Sequence, residues 1–176
     1  MRCAVEVAPL RADPHDHAEQ VTQALRGEPL DVEERLGGWA RVRTGYGYAG
    51  WIRETALCDG RPLSLARGFL GTPYEWGGLS RSGIDCSGLV HLAYRLAGTL
   101  VPRDAWQQEA AGSPVSDDDL SPGDLVTYGG ERADHVAFWV GGGRILHSRS
   151  GAGVVEEREP AELHARRRRA VRLRLP

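Results

Sequence analysis

The order of the predicted elements beyond residue 62 constrains the fold most. From Asp85 to Ala97, apolar residues recur at the spacing of one helix face, and Gly98 ends the run. A shorter helix is predicted over residues 63–70, and the strands come later, at residues 125–128, 135–140, 144–148 and 170–175. Because helices precede a block of strands instead of alternating with them, we expect a segregated α+β domain and not a parallel α/β fold.

The first part of the chain has a different character. Short segments that alternate apolar and polar residues occur at 5–7, 30–32, 39–43 and 48–52, separated by glycine-rich turns. This pattern predicts a small antiparallel barrel, and the pairs Gly38-Trp39 and Gly50-Trp51 resemble those of bacterial SH3-like domains. A turn-forming junction at residues 59–62 then predicts two domains, 1–58 and 59–176.

Charge and composition argue against two classes of partner. The chain carries 22 basic and 24 acidic side chains, a formal net charge of −2, which gives no electrostatic reason to expect nucleic acid or an anionic membrane. The run of four arginines at 166–169 is interpreted as a solvated strand edge or a loop, because no aromatic residue interleaves with it. The first residues show no apolar stretch of signal-peptide length, so a cytoplasmic location is expected.

The cysteines do not form a recognisable framework. Cys3, Cys58 and Cys86 are odd in number and widely spaced, which fits neither a set of disulfides nor a zinc site and favours a reducing compartment. Cys3 and Cys58 have apolar neighbours and are predicted to be small core residues. We find no metal-ligand spacing and no phosphate-binding loop, so neither a metal nor an organic cofactor is expected.

Cys86 stands apart because of its position in the predicted helix. It falls in the first turn, where Asp85 or Ser87 can cap the helix and the small residues Ser87-Gly88 leave room for a substrate. A helix N-terminus lowers the pKa of a thiol when a charged partner helps, and the thiolate is the nucleophile. Taken alone, the same position also suits a cysteine that only packs at the start of a helix.

Two histidines favour a catalytic role for Cys86 over a purely structural one. His135 opens one predicted strand and His147 closes the next, with the turn Gly141-Gly142-Gly143 between them. A turn centred on Gly142 makes the two histidines diagonal neighbours on one face, and a shift of one residue would make them directly opposite. Either arrangement suits a general base, His135, and a group that orients it, His147, with Cys86 as the nucleophile.

A set of short motifs then resembles one family, the NlpC-type cell-wall cysteine peptidases, over about residues 63–150. The motifs occur in the family's order: Tyr74-Glu75-Trp76-Gly77-Gly78, Asp85-Cys86-Ser87-Gly88, Pro102-Arg103-Asp104-Ala105, Pro122-Gly123-Asp124-Leu125-Val126, Asp134-His135-Val136-Ala137 and Ile145-Leu146-His147-Ser148. The resemblance implies a papain-like α+β core in which Cys86, His135 and His147 form the catalytic triad.

The resemblance also implies several substrate-binding residues. Tyr74 matches a tyrosine whose hydroxyl lies near the nucleophile and helps to stabilise the oxyanion. Asp85 and Ser87 match positions that hold the amino end of the peptide in some members. Trp76 and Trp106 are interpreted as lining or supporting the cleft, and a purely structural role remains open for both.

An SH3-like domain ahead of such a core resembles the γ-D-glutamyl-L-diamino acid endopeptidases that act on short, released peptides. In that arrangement the barrel closes one end of the cleft, and a carboxylate and a tyrosine bind the free ammonium of L-Ala. Acidic partners are physically required, since burying an unpaired cation costs several kcal/mol. Glu19 and Tyr48 are the candidates here; an exposed helix carboxylate and a core tyrosine are the respective alternatives.

The expected function is therefore hydrolysis of the bond between D-glutamate and a diamino acid in L-Ala-γ-D-Glu-diamino acid peptides, during recycling of the cell wall. Three alternatives stay open: an exported hydrolase of intact peptidoglycan, a non-catalytic module that binds wall fragments, and an acyltransferase built on the same core. The sequence does not indicate an oligomeric state.

Overall fold

The chain divides into two units in the computed structural model, which describes residues 1–174. The first unit is Met1–Gly68, and the second begins at Phe69. The division follows a helix, Pro62–Arg67, that the sequence prediction assigned to the second domain; the boundary predicted after residue 58 stays a prediction. The last predicted strand reaches Leu175, which lies outside the described residues.

The first unit is built on antiparallel strands. Five of them form a sheet in the order β3-β2-β6-β5-β4, and β1 pairs with β7. One helix, α1, and a short 3-10 turn at Glu54–Ala56 complete the unit. The elements are β1 (Arg2–Cys3), β2 (Val7–Arg11), β3 (Gln20–Leu25), β4 (Leu30–Leu36), β5 (Trp39–Thr44), β6 (Ala49–Arg53), β7 (Leu57–Cys58) and α1 (Pro62–Arg67).

Period-two alternation explains the core of this sheet. Along β5, Ala40 and Val42 are buried and the arginines between and after them face outward. Val42 pairs with Gly50 on β6, where a Cβ would lie 2.9 Å from the Cβ of Leu10, so only glycine fits this close approach. Strand β3 was not predicted, because its polar sequence carries little apolar alternation.

The second unit combines helices with a six-stranded antiparallel sheet. The strand order is β10-β15-β11-β12-β13-β14, and β8 pairs with β9 in a separate hairpin. A 3-10 turn lies at Asp117–Asp119. The elements are β8 (Leu79–Ser80), β9 (Gly83–Ile84), α2 (Cys86–Leu96), α3 (Ala105–Ala111), β10 (Ser113–Val115), β11 (Leu125–Gly129), β12 (Ala133–Gly141), β13 (Arg144–Arg149), β14 (Gly153–Arg158), α4 (Ala161–His164) and β15 (Arg167–Arg172).

Helix α2 confirms the helix predicted from apolar spacing. Its apolar face packs against β12 and β13, and the ring of Tyr94 stacks on Phe138 with 6.3 Å between centroids. Asp85 is the N-cap, and its side chain accepts a hydrogen bond of 2.7 Å from the Gly88 N–H. The cap thus places Cys86 at the first position of the helix.

The hairpin of β12 and β13 has the register predicted for a turn centred on Gly142. Phe138 pairs with Leu146 and Trp139 with Ile145, and a bulge follows at the turn. In this register the two histidines lie diagonally on one face, not directly opposite. Two neighbouring elements, α3 and β14, were not predicted from the sequence.

The arginine run corrects one prediction. Residues 167–172 form β15, which lies between β10 and β11, so Arg167 to Arg169 belong to an inner strand, and Arg166 lies in the turn before it. Arg166 pairs with Asp134 at 2.6 Å, Arg167 with Glu159 at 3.1 Å and Arg168 with Glu109 at 3.3 Å. Acidic partners, and not solvent alone, therefore balance most of this charge.

Within residues 1–174, no helix has the length and apolar character needed to span a membrane.

Candidate active site

Cys86 lies where the start of α2 meets β12. The residue is 7% exposed, and the backbone N–H groups of Val136 and Ser87 hydrogen-bond to its sulfur. Burial nevertheless raises the pKa of Cys86 to about 11. The sequence predicted a lowered pKa from the helix end. That expectation fails because desolvation of the thiolate outweighs the N–H donors.

His135 is carried on β12, one residue before the Val136 N–H that contacts the thiol. Its Nε2 lies 2.8 Å from Nδ1 of His147, and the two rings meet edge to face with centroids 5.0 Å apart. Burial, followed by the nearby His147, lowers the pKa of His135 to about 3. The structure therefore brings the two predicted histidines into a direct hydrogen bond.

His147 is fully buried and has a second partner that the sequence did not reveal. Its Nε2 lies 3.0 Å from Oε1 of Glu157 on β14. The same carboxylate accepts a hydrogen bond of 2.9 Å from Nε of Arg149. Burial lowers the pKa of His147, although Glu157 acts in the opposite direction. Only the pairing of β13 with β14 could have indicated Glu157, and β14 was not predicted.

These pKa values define the resting protonation state near neutral pH. The thiol of Cys86 keeps its proton, and His135 is a neutral imidazole, which carries a single ring proton. Since Nε2 of His135 is engaged by His147, its Nδ1 is the nitrogen left to receive another proton. The histidine pair thus offers a neutral imidazole with one ring nitrogen able to accept a proton, as a general base requires.

Asp85 and Ser87 belong to a cluster centred on Arg103. The guanidinium donates to both carboxylate oxygens of Asp85, each at 2.9 Å, and to Oγ of Ser87 at 2.9 Å. Although burial acts to raise it, the bonds from Arg103 and from the Gly88 and Gly77 N–H groups hold the pKa of Asp85 below its ordinary value. Asp85 is thus an ionised, fully hydrogen-bonded carboxylate. Arg103 was noted only as part of a motif, so its role in this cluster was missed.

A cleft of about 340 Å³ opens beside Cys86. This volume falls in the range of small-ligand sites. Trp76 is 83% exposed and Trp106 43% exposed, and both line the cleft. Its other lining residues are mostly polar or small: Gly77, Asp85, Cys86, Ser87, Arg103, Asp104, Ala105, Arg132, Ala133 and Asp134.

Tyr74 lies near Cys86. It is half-buried, and burial together with the neighbouring Cys86 and Asp85 raises the pKa of its hydroxyl. A phenol that stays protonated is able to donate a hydrogen bond at neutral pH. The role of Tyr74 as oxyanion donor stays a prediction.

The two candidates in the first unit are both exposed. Glu19 directly precedes strand β3, so it is not on a helix. Tyr48 directly precedes β6 and is 52% exposed, so it is not a core residue. Of the other cysteines, Cys3 is buried and Cys58 half-buried, and both are free thiols. Within the described residues no cluster of three or more His, Cys, Asp or Glu side chains could hold a metal ion.

Comparison with known proteins agrees with this architecture. The model of the NlpC/P60 family matches residues 71–172, more than half of the chain. A model described as the bacterial dipeptidyl-peptidase Sh3 domain matches residues 10–57. The predicted fold class, an NlpC-type α+β core preceded by an SH3-like domain, is thereby confirmed.

Individual relatives show how far the likeness extends. The γ-D-glutamyl-L-lysine dipeptidyl-peptidase of Bacillus subtilis is 37% identical over 135 residues, which is 68% of this chain and 44% of that protein. An NlpC/P60 family protein from Bacillus cereus superimposes over 97% of this chain and 62% of its own, with a TM-score of 0.65 and 24% identity, and shows the fold alone.

A third relative carries a different function. RipD of Mycobacterium tuberculosis, described as a non-catalytic NlpC/p60 domain protein adapted to peptidoglycan binding, is 27% identical with a TM-score of 0.56. It covers 64% of this chain and 94% of its own. The chain spans less than half of the B. subtilis relative. The family model matches more than half of the chain, and the chain belongs to the NlpC/P60 family.

Proposed function

We propose that this protein is a cysteine peptidase that hydrolyses the bond between γ-D-glutamate and a diamino acid in cell-wall peptides. The observation that carries the proposal is the 2.8 Å hydrogen bond between His135 and His147. His135 lies on β12, next to Val136, whose N–H contacts the Cys86 thiol. Cys86 in turn lines an open cleft. The name of the B. subtilis relative supports the choice of bond.

The mechanism starts from a neutral pair. Nδ1 of His135 accepts the thiol proton as the sulfur of Cys86 attacks the substrate carbonyl, so proton transfer accompanies attack. The N–H of Cys86 and the hydroxyl of Tyr74 stabilise the oxyanion. The C–N bond then breaks as His135 returns the proton to the leaving amine, and a thioester remains. Water adds to the thioester, with His135 again accepting a proton, and releases the γ-glutamyl acid and the thiol.

Free L-Ala-γ-D-Glu-diamino acid peptides are the proposed substrates. Their ammonium group needs anionic and polar partners, for which Glu19 and Tyr48 offer an exposed carboxylate and phenol in the SH3-like unit. Asp85 and Ser87 are further candidates for the amino end, although Arg103 already binds both of them. We propose wall-peptide recycling in the cytoplasm as the setting.

A binding module without catalysis is the second candidate, favoured by the description of RipD. In such a module the histidine pair does not act as a general base for Cys86. Iodoacetamide alkylation compared between the wild type and His135→Ala separates the peptidase from the binding module, because only a base that accepts the Cys86 proton assists formation of the reactive thiolate. Alkylation of Cys86 that is no faster in the wild type than in His135→Ala would favour the binding module.

Direct hydrolysis tests the proposal. The protein is incubated with L-Ala-γ-D-Glu-L-Lys and with its N-acetylated form, and the products are analysed by mass spectrometry. We expect L-Ala-D-Glu and free lysine from the first peptide, little product from the second, and none from Cys86→Ala or His135→Ala. Substantial turnover in either variant would contradict the roles. Equal cleavage of both peptides would favour an exported hydrolase of intact peptidoglycan.

A further inference from the structure

Glu157 occupies a defined place beside the histidine pair. In the pairing of β13 with β14, His147 lies opposite Val155 and Ile145 opposite Glu157. Glu157 is therefore two residues along from the partner of His147, on the same face of the sheet. Its side chain is 30% exposed, whereas that of His147 is fully buried.

The hydrogen bonds that link Glu157, His147 and His135 have only one consistent direction. A carboxylate can only accept, so Nε2 of His147 must carry the hydrogen that reaches Glu157 at 3.0 Å. A neutral His147 then has no hydrogen on Nδ1, which must accept from Nε2 of His135 at 2.8 Å. His135 is left with an unprotonated Nδ1, the form that a general base requires.

We infer that Glu157 is a positioning residue that sets the tautomer of His147 and, through it, the tautomer of His135. Its catalytic consequence rests on the proposed peptidase function, but the tautomers themselves do not. Glu157 acts on the reaction through the two imidazoles and not by direct contact with the substrate.

The charges around Glu157 keep it an acceptor. Arg149 donates to Oε1 from Nε at 2.9 Å, and the bonds from Arg149 and His147 hold the pKa of Glu157 below its usual range despite burial. Arg166 is the other charged group acting on the pair, through His135. Without the carboxylate, the buried Nε2–H of His147 loses its partner, and the opposite tautomer, which donates from Nδ1 towards His135, is no longer disfavoured.

The isosteric variant Glu157→Gln tests this directly, because an amide can donate as well as accept. We expect kcat to fall about 10- to 100-fold with KM nearly unchanged, the range known for loss of a group that orients a metal-bound imidazole. Glu156→Gln is the matched control: Glu156 is the neighbouring residue on β14, where it pairs with Arg144 at 3.6 Å. The control should retain wild-type kcat.

A spectroscopic readout makes the inference independent of activity. Ring ¹⁵N shifts of the histidines distinguish Nε2–H from Nδ1–H, and the wild-type protein should show His147 and His135 both as Nε2–H near neutral pH. A wild-type His147 found as Nδ1–H overturns the inference without any variant. If the tautomers are as expected but no peptide is cleaved, the proposed function fails and the inference stands.

The His147→Gln background completes the test. With no imidazole at position 147 there is no tautomer to set, so adding Glu157→Gln should lower kcat little further. A full additional loss in the double variant, equal to that in the wild-type background, would show that Glu157 acts by another route and would overturn the inference.

Discussion

Removing the guanidinium of Arg103 should destabilise the second unit through Asp85. The carboxylate of Asp85 is 8% exposed, and Arg103 supplies two of its hydrogen bonds, both at 2.9 Å. Breaking a buried ion pair costs about 3–5 kcal/mol. Because Arg103 itself is 30% exposed and the N–H groups of Gly77 and Gly88 still bind the carboxylate, we expect about 2–3 kcal/mol for Arg103→Gln.

Urea denaturation followed by tryptophan fluorescence measures this cost. Arg144→Gln is the control, since the Arg144–Glu156 pair is longer, at 3.6 Å, with the arginine 47% exposed. Such a surface pair contributes about 0–1 kcal/mol. A double-variant cycle with Asp85→Asn isolates the interaction, and a coupling of roughly 1–3 kcal/mol is expected for groups in direct contact.

Two results would refute this reasoning. The first is a cost for Arg103→Gln no larger than that of the Arg144→Gln control. The second is strict additivity with Asp85→Asn, which would mean that the guanidinium does not offset the buried carboxylate.

The remaining predictions concern His135, His147 and Glu19. Folding lowers the pKa of His135 from 6.5 to about 3, so the unfolded chain binds a proton that the folded protein does not. Acidification from pH 7 to 5 should therefore destabilise the protein by about 2 kcal/mol through this residue. Urea denaturation of His135→Asn at both pH values should lack that loss of stability. His147→Gln should retain a fraction of kcat, because an amide oxygen can still accept from His135, and a wild-type rate in His147→Ala would contradict the orienting role. Glu19→Ala should raise KM for peptides with a free amino end, and an unchanged KM would count against the contact.

Local patterns were sufficient to place Cys86 at the start of a helix and to bring the two histidines onto one face of a hairpin. Apolar spacing and the capping Asp85 set the start of α2 at Cys86, and both signals lie within a few residues of each other in the chain. The three glycines at the end of β12 and in the turn after it likewise set the hairpin register that brings His135 and His147 together. Such features are predictable because their causes are short-range.

Other parts of the site depend on pairings between distant segments. Arg103 reaches Asp85 across 18 residues, and Glu157 meets His147 only because β14 adds to the edge of the sheet beside β13. The arginine run was placed at an edge or in a loop, whereas β15 lies inside the sheet between β10 and β11. No periodicity within a segment specifies which other strand it will pair with.

The sequence by itself thus determined the two-part architecture, the family resemblance, the helix that begins at Cys86 and the hairpin register of His135 and His147. Helix spacing, turn chemistry and motif order depend on residues that are close along the chain. The tertiary structure alone decided the protonation state and the supporting partners. Burial raises the pKa of Cys86 and lowers that of His135, because removal of water penalises charge, and the extent of that removal is set only when helix and sheet pack together.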